Sequence, residues 1–119
     1  MSTQIHQAIE WTGQSGTAYR YYIWPRRSLV DGNPPGNFIL VKETEAGVLA
    51  PVYIGHAEDL NHRISLSDPR IQKCIHEEAV TQLHLHTNRS GEQARLAEQA
   101  DLIAHWAPVG NVPENPPGT

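Results

Sequence analysis

The segment of residues 37–42, Asn-Phe-Ile-Leu-Val-Lys, most constrains how this chain can fold, because it is apolar almost without interruption. Apolar residues that follow one another, instead of alternating with polar ones, predict a strand that is covered on both faces. Such cover requires further elements packed above and below the sheet. A chain of 119 residues can build this core without disulfides or structural metals.

Three other segments carry strand patterns. Residues 7–12 and 17–24 flank a Gly-Gln-Ser-Gly turn, and the second arm is rich in aromatic and β-branched residues, so we predict a β-hairpin. Residues 48–54 form a strand in which Pro51 indicates an edge position or a bulge. In residues 80–86 apolar and polar side chains alternate, which predicts a strand with one polar face.

Helical signals occur in three places. Carboxylates in a first turn and apolar residues at helical spacing predict a helix over residues 57–64. Asp68-Pro69 predicts the start of a second, short helix. A third helix is predicted from a capping box at residues 90–93 to about Trp106. Its expected apolar stripe consists of Leu96, Ala100, Ile103 and Ala107.

The order of these elements, β-β-β-β-α-α-β-α, predicts an α/β (α+β) fold, with a small, mostly antiparallel β-sheet flanked by helices. We expect three parts along the chain. Residues 1–35 would form an N-terminal hairpin extension packed on the core, residues 36–111 the domain proper, and residues 112–119 an extended C-terminal tail.

The composition indicates in which cellular compartment the protein is expected and which partners are disfavoured. Cys74 is the single cysteine, so no intrachain disulfide is possible, and a reducing, cytoplasmic location is expected. No apolar run reaches the ~20 residues that cross a bilayer, so we expect no membrane association. The formal net charge of −4 argues against nonspecific coating of nucleic acid, because such binding depends on neutralising phosphates.

Two triplets and three later segments carry a resemblance. The triplets are Gly36-Asn37-Phe38 and Tyr53-Ile54-Gly55. They are followed, in order, by a segment ending in Asn61-His62-Arg63, by Glu98-Gln99-Ala100-Asp101-Leu102-Ile103, and by Pro108-Val109-Gly110-Asn111. Together these segments resemble the motifs of the GIY-YIG nuclease superfamily. The resemblance covers residues 36–111.

The resemblance implies a metal-dependent DNA endonuclease that hydrolyses phosphodiester bonds. Glu98 would be the protein ligand of a divalent cation, Mg²⁺ or Mn²⁺, which keeps most of its waters. Arg63 would donate hydrogen bonds to phosphate oxygens, and Tyr53 would orient or deprotonate the attacking water. Asn111 would hold a ligand or the helix that carries Glu98. Gly36, Phe38 and Gly55 would serve as the structural positions of the motif.

Phe38 departs from the family pattern, which has a tyrosine at this position. Phenylalanine has no hydroxyl and cannot accept a proton. Three alternatives stay open: Tyr53 acts alone, a hydroxyl from Tyr19, Tyr21 or Tyr22 substitutes, or the domain no longer cuts. The last alternative predicts a catalytically inactive relative that binds nucleic acid or a protein partner.

Further residues are candidate DNA contacts because they are basic or can stack on bases. They are Tyr22, Lys42, His56 and Arg70. A protein partner or a homodimer is a further expectation. The endonuclease hypothesis makes one geometric demand: Tyr53, Arg63 and Glu98 must converge on one concave surface.

His84 and His86 lie on the same side of the predicted strand at residues 80–86, as two ligands of a metal would. The sequence identifies no third ligand beside them. A polar sheet face is therefore the favoured interpretation of this pair.

Overall fold

The computed structural model describes residues 7–24, 34–61 and 69–111. The strands within these ranges are β1 (Ala8–Thr12), β2 (Ala18–Trp24), β3 (Gly36–Glu45), β4 (Val48–Ala57) and β5 (Gln82–Thr87). The helices are α1 (Pro69–Glu77) and α2 (Glu92–Trp106), followed by a 3-10 turn at Val109–Asn111. Residues 60 and 61 are also helical, at the end of the second described range.

The five strands form one sheet in the order β1-β2-β5-β3-β4, and every neighbouring pair is antiparallel. This confirms the predicted fold class. β3 lies inside the sheet, between β5 and β4, and its side chains from Phe38 to Val41 are at most 1% exposed. The prediction of a strand covered on both faces is confirmed, because helices and loops pack on each side.

The predicted N-terminal hairpin is present as β1 and β2, and it joins the sheet directly. β2 pairs with β5, with Tyr22 opposite Leu85 and Trp24 opposite Leu83. The hairpin therefore adds two strands to one edge of the sheet. Its side chains consequently alternate between the same two faces as those of β3 and β5.

Each face of the sheet carries its own core. On the face that we call the α1 face, the buried residues are Phe38, Leu40, Val52, Tyr53, Ala57, Leu60, Ile71, Cys74, Val80, Leu83 and Leu85. On the opposite face, called the α2 face, they are Trp11, Tyr21, Ile39, Val41, Ile54 and Leu102. The apolar core on the α2 face is the smaller of the two. Polar side chains cover the rest of that face.

β4 is an edge strand, and the pairing register with β3 shifts between Leu40 and Val41 beside Pro51. Pro51 indicated an edge position or a bulge, and both features are present. The outer edge of β4 is occupied by Asn111. Its Oδ1 accepts a hydrogen bond from the backbone N–H of Ile54 at 2.7 Å, and its Nδ2 donates to the Ile54 carbonyl at 2.9 Å. The amide thus pairs with the edge as a neighbouring strand would.

The predicted apolar stripe of α2 is wrong except at Ile103, which packs half-buried against the core of the α2 face. The buried positions of this helix are Arg95, Glu98 and Leu102, whereas Leu96 is 41% exposed. The helix turns a partly polar side inward because the sheet face beneath it presents polar side chains. The predicted capping box is also wrong, since the N-cap is Gly91 and no side chain makes a capping hydrogen bond.

The turn of the N-terminal hairpin is bound to α2 through Asp101. Its carboxylate accepts hydrogen bonds from the backbone N–H of Ser15 at 2.8 Å, the Ser15 hydroxyl at 2.6 Å and the Tyr19 hydroxyl at 2.8 Å. The Ser15 and Tyr19 hydroxyls hold the pKa of Asp101 below its ordinary value of 3.8, because they stabilise the charged form.

We expect Asp101 to make the attachment of this hairpin acid-sensitive. Because the folded-state pKa is lowered, its stabilisation is present above pH 3.8 and is lost as the pH falls through the folded value. Urea unfolding at pH ~7 and pH ~3 should show a smaller loss of stability for Asp101→Asn than for the wild type. Glu10→Gln, on the exposed side of β1, is the matched control. Equal acid losses in wild type and Asp101→Asn would contradict the assignment.

Candidate functional site

Glu98 lies at the centre of a buried polar cluster on the α2 face. Its Oε2 accepts a hydrogen bond from the Tyr21 hydroxyl at 2.5 Å and lies 2.9 Å from Nδ1 of His86. Its Oε1 is 3.4 Å from the donor Nδ2 of Asn88. Glu98 is 4% exposed, so these protein contacts take the place of its water.

Strand alternation and helix periodicity bring this cluster together. Tyr21 on β2 and His86 on β5 point to the α2 face, where Glu98 is one of the buried positions of α2. Burial, followed by the charge of Glu98, raises the pKa of Tyr21 well above its ordinary value of 10.0. The phenol therefore stays protonated and donates a hydrogen bond to the carboxylate. Since His86 is partly exposed, it forms the outer side of the cluster.

A second polar group lies beside the first, nearer the start of α2. Nδ2 of Asn37 donates to the backbone carbonyl of Arg95 at 2.9 Å. Nη1 of Arg95 donates to the carbonyl of Asn88 at 3.2 Å. These contacts tie the first strand of the motif, β3, to the helix that carries Glu98.

Tyr53 lies on the α1 face. Its ring stacks on that of Phe38, with centroids 5.9 Å apart and an interplanar angle of 23°, and it is 7% exposed. Gly55 makes this stacking possible, because a Cβ there would approach Phe38 Cζ to 2.5 Å and Tyr53 Cε1 to 3.0 Å. Gly36 is similarly required where β3 begins, since a Cβ would lie 2.3 Å from the carbonyl oxygen of His86.

Tyr53 and Glu98 are not brought together. The first belongs to the apolar core of the α1 face, and the second is bonded to Tyr21 on the α2 face. Arg63 lies outside the described residues. Asn111 binds the outer edge of β4 through both of its side-chain polar atoms. Tyr53 and Glu98 therefore lie on opposite faces of the sheet, whereas Asn111 binds β4 at the residue directly after Tyr53.

The candidate DNA contacts are also spread over the surface. Tyr22 is 41% exposed on the hairpin, on the side away from Tyr21. Lys42 pairs with Glu78 at 3.9 Å, just beyond the end of α1. His56 lies on the α2 face, where its Nδ1 is 2.5 Å from Oε1 of Gln99. Arg70 is part of α1, and its side chain lies outside the described set.

His84 supports the interpretation of a polar sheet face. The indole N–H of Trp11 donates to its Nδ1 at 2.9 Å, and its Nε2 lies 2.8 Å from Oε1 of Gln82. Both ring nitrogens are thus satisfied by protein groups. Among the residues that the structure describes, no group of three or more His, Cys, Asp or Glu side chains could hold a metal ion.

Sequence reasoning named Tyr21 as a possible replacement hydroxyl and Glu98 as a metal ligand, but it missed that the two bind each other. It also missed Asn88 and Arg95. One signal was available: Arg95, Glu98 and Leu102 recur at i, i+3 and i+7, which is the spacing of one helix face. The sequence analysis assumed that the buried positions of α2 are apolar, and for that reason it did not identify this face.

The donor set around Glu98 does not fit a hydrated divalent cation in this arrangement. Mg²⁺ keeps several waters and needs an accessible carboxylate oxygen with room around it. Glu98 is 4% exposed, and both of its oxygens already accept hydrogen bonds or lie within reach of a donor. An ion would have to displace Tyr21 or His86 to reach Oε2, and Asn88 to reach Oε1.

No protein-family model matches the sequence, and no curated protein matches it significantly. The fold nevertheless has similar solved structures, which are GIY-YIG endonuclease domains. Three are crystal structures of the N-terminal domain of UvrC from Thermotoga maritima, each a tyrosine-to-phenylalanine point mutant bound to its catalytic divalent cation. The TM-scores are 0.54, 0.54 and 0.53, at 25%, 24% and 23% identity.

The alignments cover 68%, 68% and 67% of this chain and 86%, 86% and 85% of the UvrC domain chains. This chain therefore has a GIY-YIG-like domain, as the motifs predicted. The nuclease-type fold is therefore shared with these domains. Within the described residues, no helix is long and apolar enough to cross a membrane.

Proposed function

We propose that this chain is a DNA-binding domain of the GIY-YIG type that does not cleave its ligand. The observation that carries the proposal is the burial of Glu98, whose carboxylate is bonded to Tyr21 and His86. Metal-assisted hydrolysis needs a carboxylate that can reach a solvated ion. Here the carboxylate instead joins the N-terminal hairpin and β5 to α2.

The positions of the aromatic motif residues support the same proposal. A group that activates water must lie within hydrogen-bond reach of the reacting phosphate, on the surface that holds the other catalytic groups. Tyr53 packs against Phe38 on the α1 face, across the sheet from Glu98. Phe38 itself has no hydroxyl. Tyr53 and Phe38 thus contribute to the core of the α1 face, which favours a domain that does not cleave.

DNA is the partner proposed from the likeness to an endonuclease domain. The net charge of −4 predicts modest affinity that falls as salt is added, because few phosphates can be neutralised. We place the binding in the cytoplasm, in keeping with a chain whose single cysteine, Cys74, is buried in the core.

A metal-dependent DNA endonuclease is the second candidate, and one observation favours it. Each of the three similar UvrC structures is a tyrosine-to-phenylalanine mutant and is still bound to a catalytic divalent cation. Phe38 alone is therefore no argument against a metal. In this candidate Glu98 would hold Mg²⁺ or Mn²⁺, Arg63 would contact phosphate, and Tyr53 would position water, with Asn111 in support. It requires Glu98 to leave its present partners.

A nicking assay combined with a binding assay separates the two candidates. We expect the purified protein to retard a duplex oligonucleotide equally with Mg²⁺, Mn²⁺ or EDTA, and to leave supercoiled plasmid intact. Nicking that requires metal, disappears in a Glu98→Ala variant that is still folded and persists in Glu45→Ala would establish the endonuclease instead. Glu45 is a suitable control because it is exposed at the end of β3. Sedimentation velocity of the same samples reports whether a dimer binds.

A further inference from the structure

The N-terminus of α2 has unused hydrogen-bond donors. The helix has 15 residues, its N-cap is Gly91, and no side chain caps it. The first backbone bond into the helix runs from the N–H of Arg95 to the Gly91 carbonyl at 3.1 Å. Among the described residues, the N–H groups of residues 92–94 have no protein acceptor. The helix dipole adds partial positive charge at this end.

Arg95 supplies a second, independent observation. It is 5% exposed, and its Nε is buried without a hydrogen-bond partner. Within the described residues, its side chain donates a hydrogen bond from Nη1 to the neutral carbonyl of Asn88. No carboxylate in the described part of the chain lies within ion-pair distance of it. A guanidinium removed from water with so few partners is poorly compensated, and an anion would correct this deficit.

The guanidinium and the helix N-terminus lie at the same place. Side chains on a helix lean toward its N-terminus, and the contact with the Asn88 carbonyl puts the Arg95 guanidinium three residues before the N-cap Gly91. This segment is held in a turn, because the N–H of Ser90 donates to Oδ1 of Asn88 at 3.0 Å. Arg89 is exposed in the same segment and adds a second cation.

We propose that the N-terminus of α2, together with Arg95 and Arg89, binds a phosphate group. Backbone N–H groups and guanidinium groups are the donors that phosphate oxygens prefer, and together they fix its orientation. The inference rests on the proposed function for the identity of the ligand, a phosphodiester of DNA. Glu92, in the first turn, repels the phosphate and limits its affinity.

The test follows backbone amide signals by NMR during titration with inorganic phosphate, with sodium chloride at equal ionic strength as reference. We expect the signals of residues 91–94 and of the Arg95 Nε–H to move with phosphate alone. Arg95→Gln should weaken phosphate binding about tenfold or more, because a charge-assisted hydrogen bond is lost. Glu92→Gln should strengthen it roughly two- to fivefold. Arg20→Gln, exposed on β2, should change nothing.

A second arm uses a short duplex oligonucleotide in place of free phosphate. Oligonucleotide binding that leaves residues 91–94 unmoved would overturn the site and leave the proposed function standing. Shifts with phosphate but no oligonucleotide binding would support the site as one for free phosphate and overturn the DNA assignment. If Arg95→Gln does not fold, Arg95→Lys, which keeps the charge, is used in its place. The rise in wild-type Tm with phosphate then replaces the NMR signal shifts as the readout. No rise beyond that with chloride would also overturn the site.

Discussion

Tyr21→Phe is expected to lower the free energy of unfolding by about 1.5–3 kcal/mol, the usual worth of a buried hydrogen bond to a charged group. The substitution removes a hydroxyl that donates to Oε2 of Glu98 at 2.5 Å, and it changes little else in volume. Glu98 is 4% exposed, so water cannot easily replace the lost donor. The carboxylate would keep His86 and the weak contact with Asn88.

The adjacent tyrosine provides the control for this measurement. Tyr22 is on the same strand but is 41% exposed, on the opposite face from Tyr21. Tyr22→Phe should therefore change the free energy of unfolding by less than about 0.5 kcal/mol. Urea unfolding of wild type and both variants at neutral pH gives the comparison. Equal effects in the two variants would show that Glu98 does not depend on the phenol, and the structural role of the cluster would fail.

Mild acid is expected to destabilise the protein through His84. Burial lowers the pKa of this imidazole from 6.5 to about 4, because the charged form loses its water. The neutral ring accepts the indole N–H of Trp11, which a protonated ring could not do. Since the folded-state pKa is the lower one, the unfolded state binds more protons below pH 6.5.

The stability due to neutral His84 is complete above pH 6.5 and falls progressively toward the folded value of about 4. Between pH ~7 and pH ~4.5 the expected loss is roughly 2–3 kcal/mol. Urea unfolding of His84→Gln over this range should show a much smaller loss. His105→Gln is the matched control, since His105 is exposed at the end of α2. A wild-type loss that persists undiminished in His84→Gln would contradict the assignment.

Both predictions concern the α2 face, where the interior is more polar than that of the α1 face. Tyr21 joins the N-terminal hairpin to Glu98 on α2, and His84 joins β5 to Trp11 of the same hairpin. Buried polar groups of this kind are costly when one partner is removed. The same property that makes Glu98 important for folding makes it a poor ligand for a hydrated ion.

Local patterns in the sequence determined most of the fold. The uninterrupted apolar run at residues 37–42 predicted a strand covered on both faces, and β3 is that strand. The Gly-rich turn between two strand-like arms predicted the hairpin of β1 and β2, and Pro51 predicted an edge strand with a register shift. The paired motifs predicted the GIY-YIG-like domain. The strand, hairpin and edge signals arise from neighbouring residues, whose backbone preferences and periodicity act locally, whereas the motifs predicted the domain through resemblance to a family.

Only the tertiary structure decided what surrounds Glu98. Its partner Tyr21 is 77 positions away in sequence. Tyr21 reaches Glu98 only because β2 pairs with β5 in the folded sheet. Helix periodicity identified a face but not its chemistry, so the stripe through Leu96 was predicted inward although Arg95 and Glu98 are buried. A buried charge is stabilised by donors from other elements, and such donors leave no trace in local sequence periodicity.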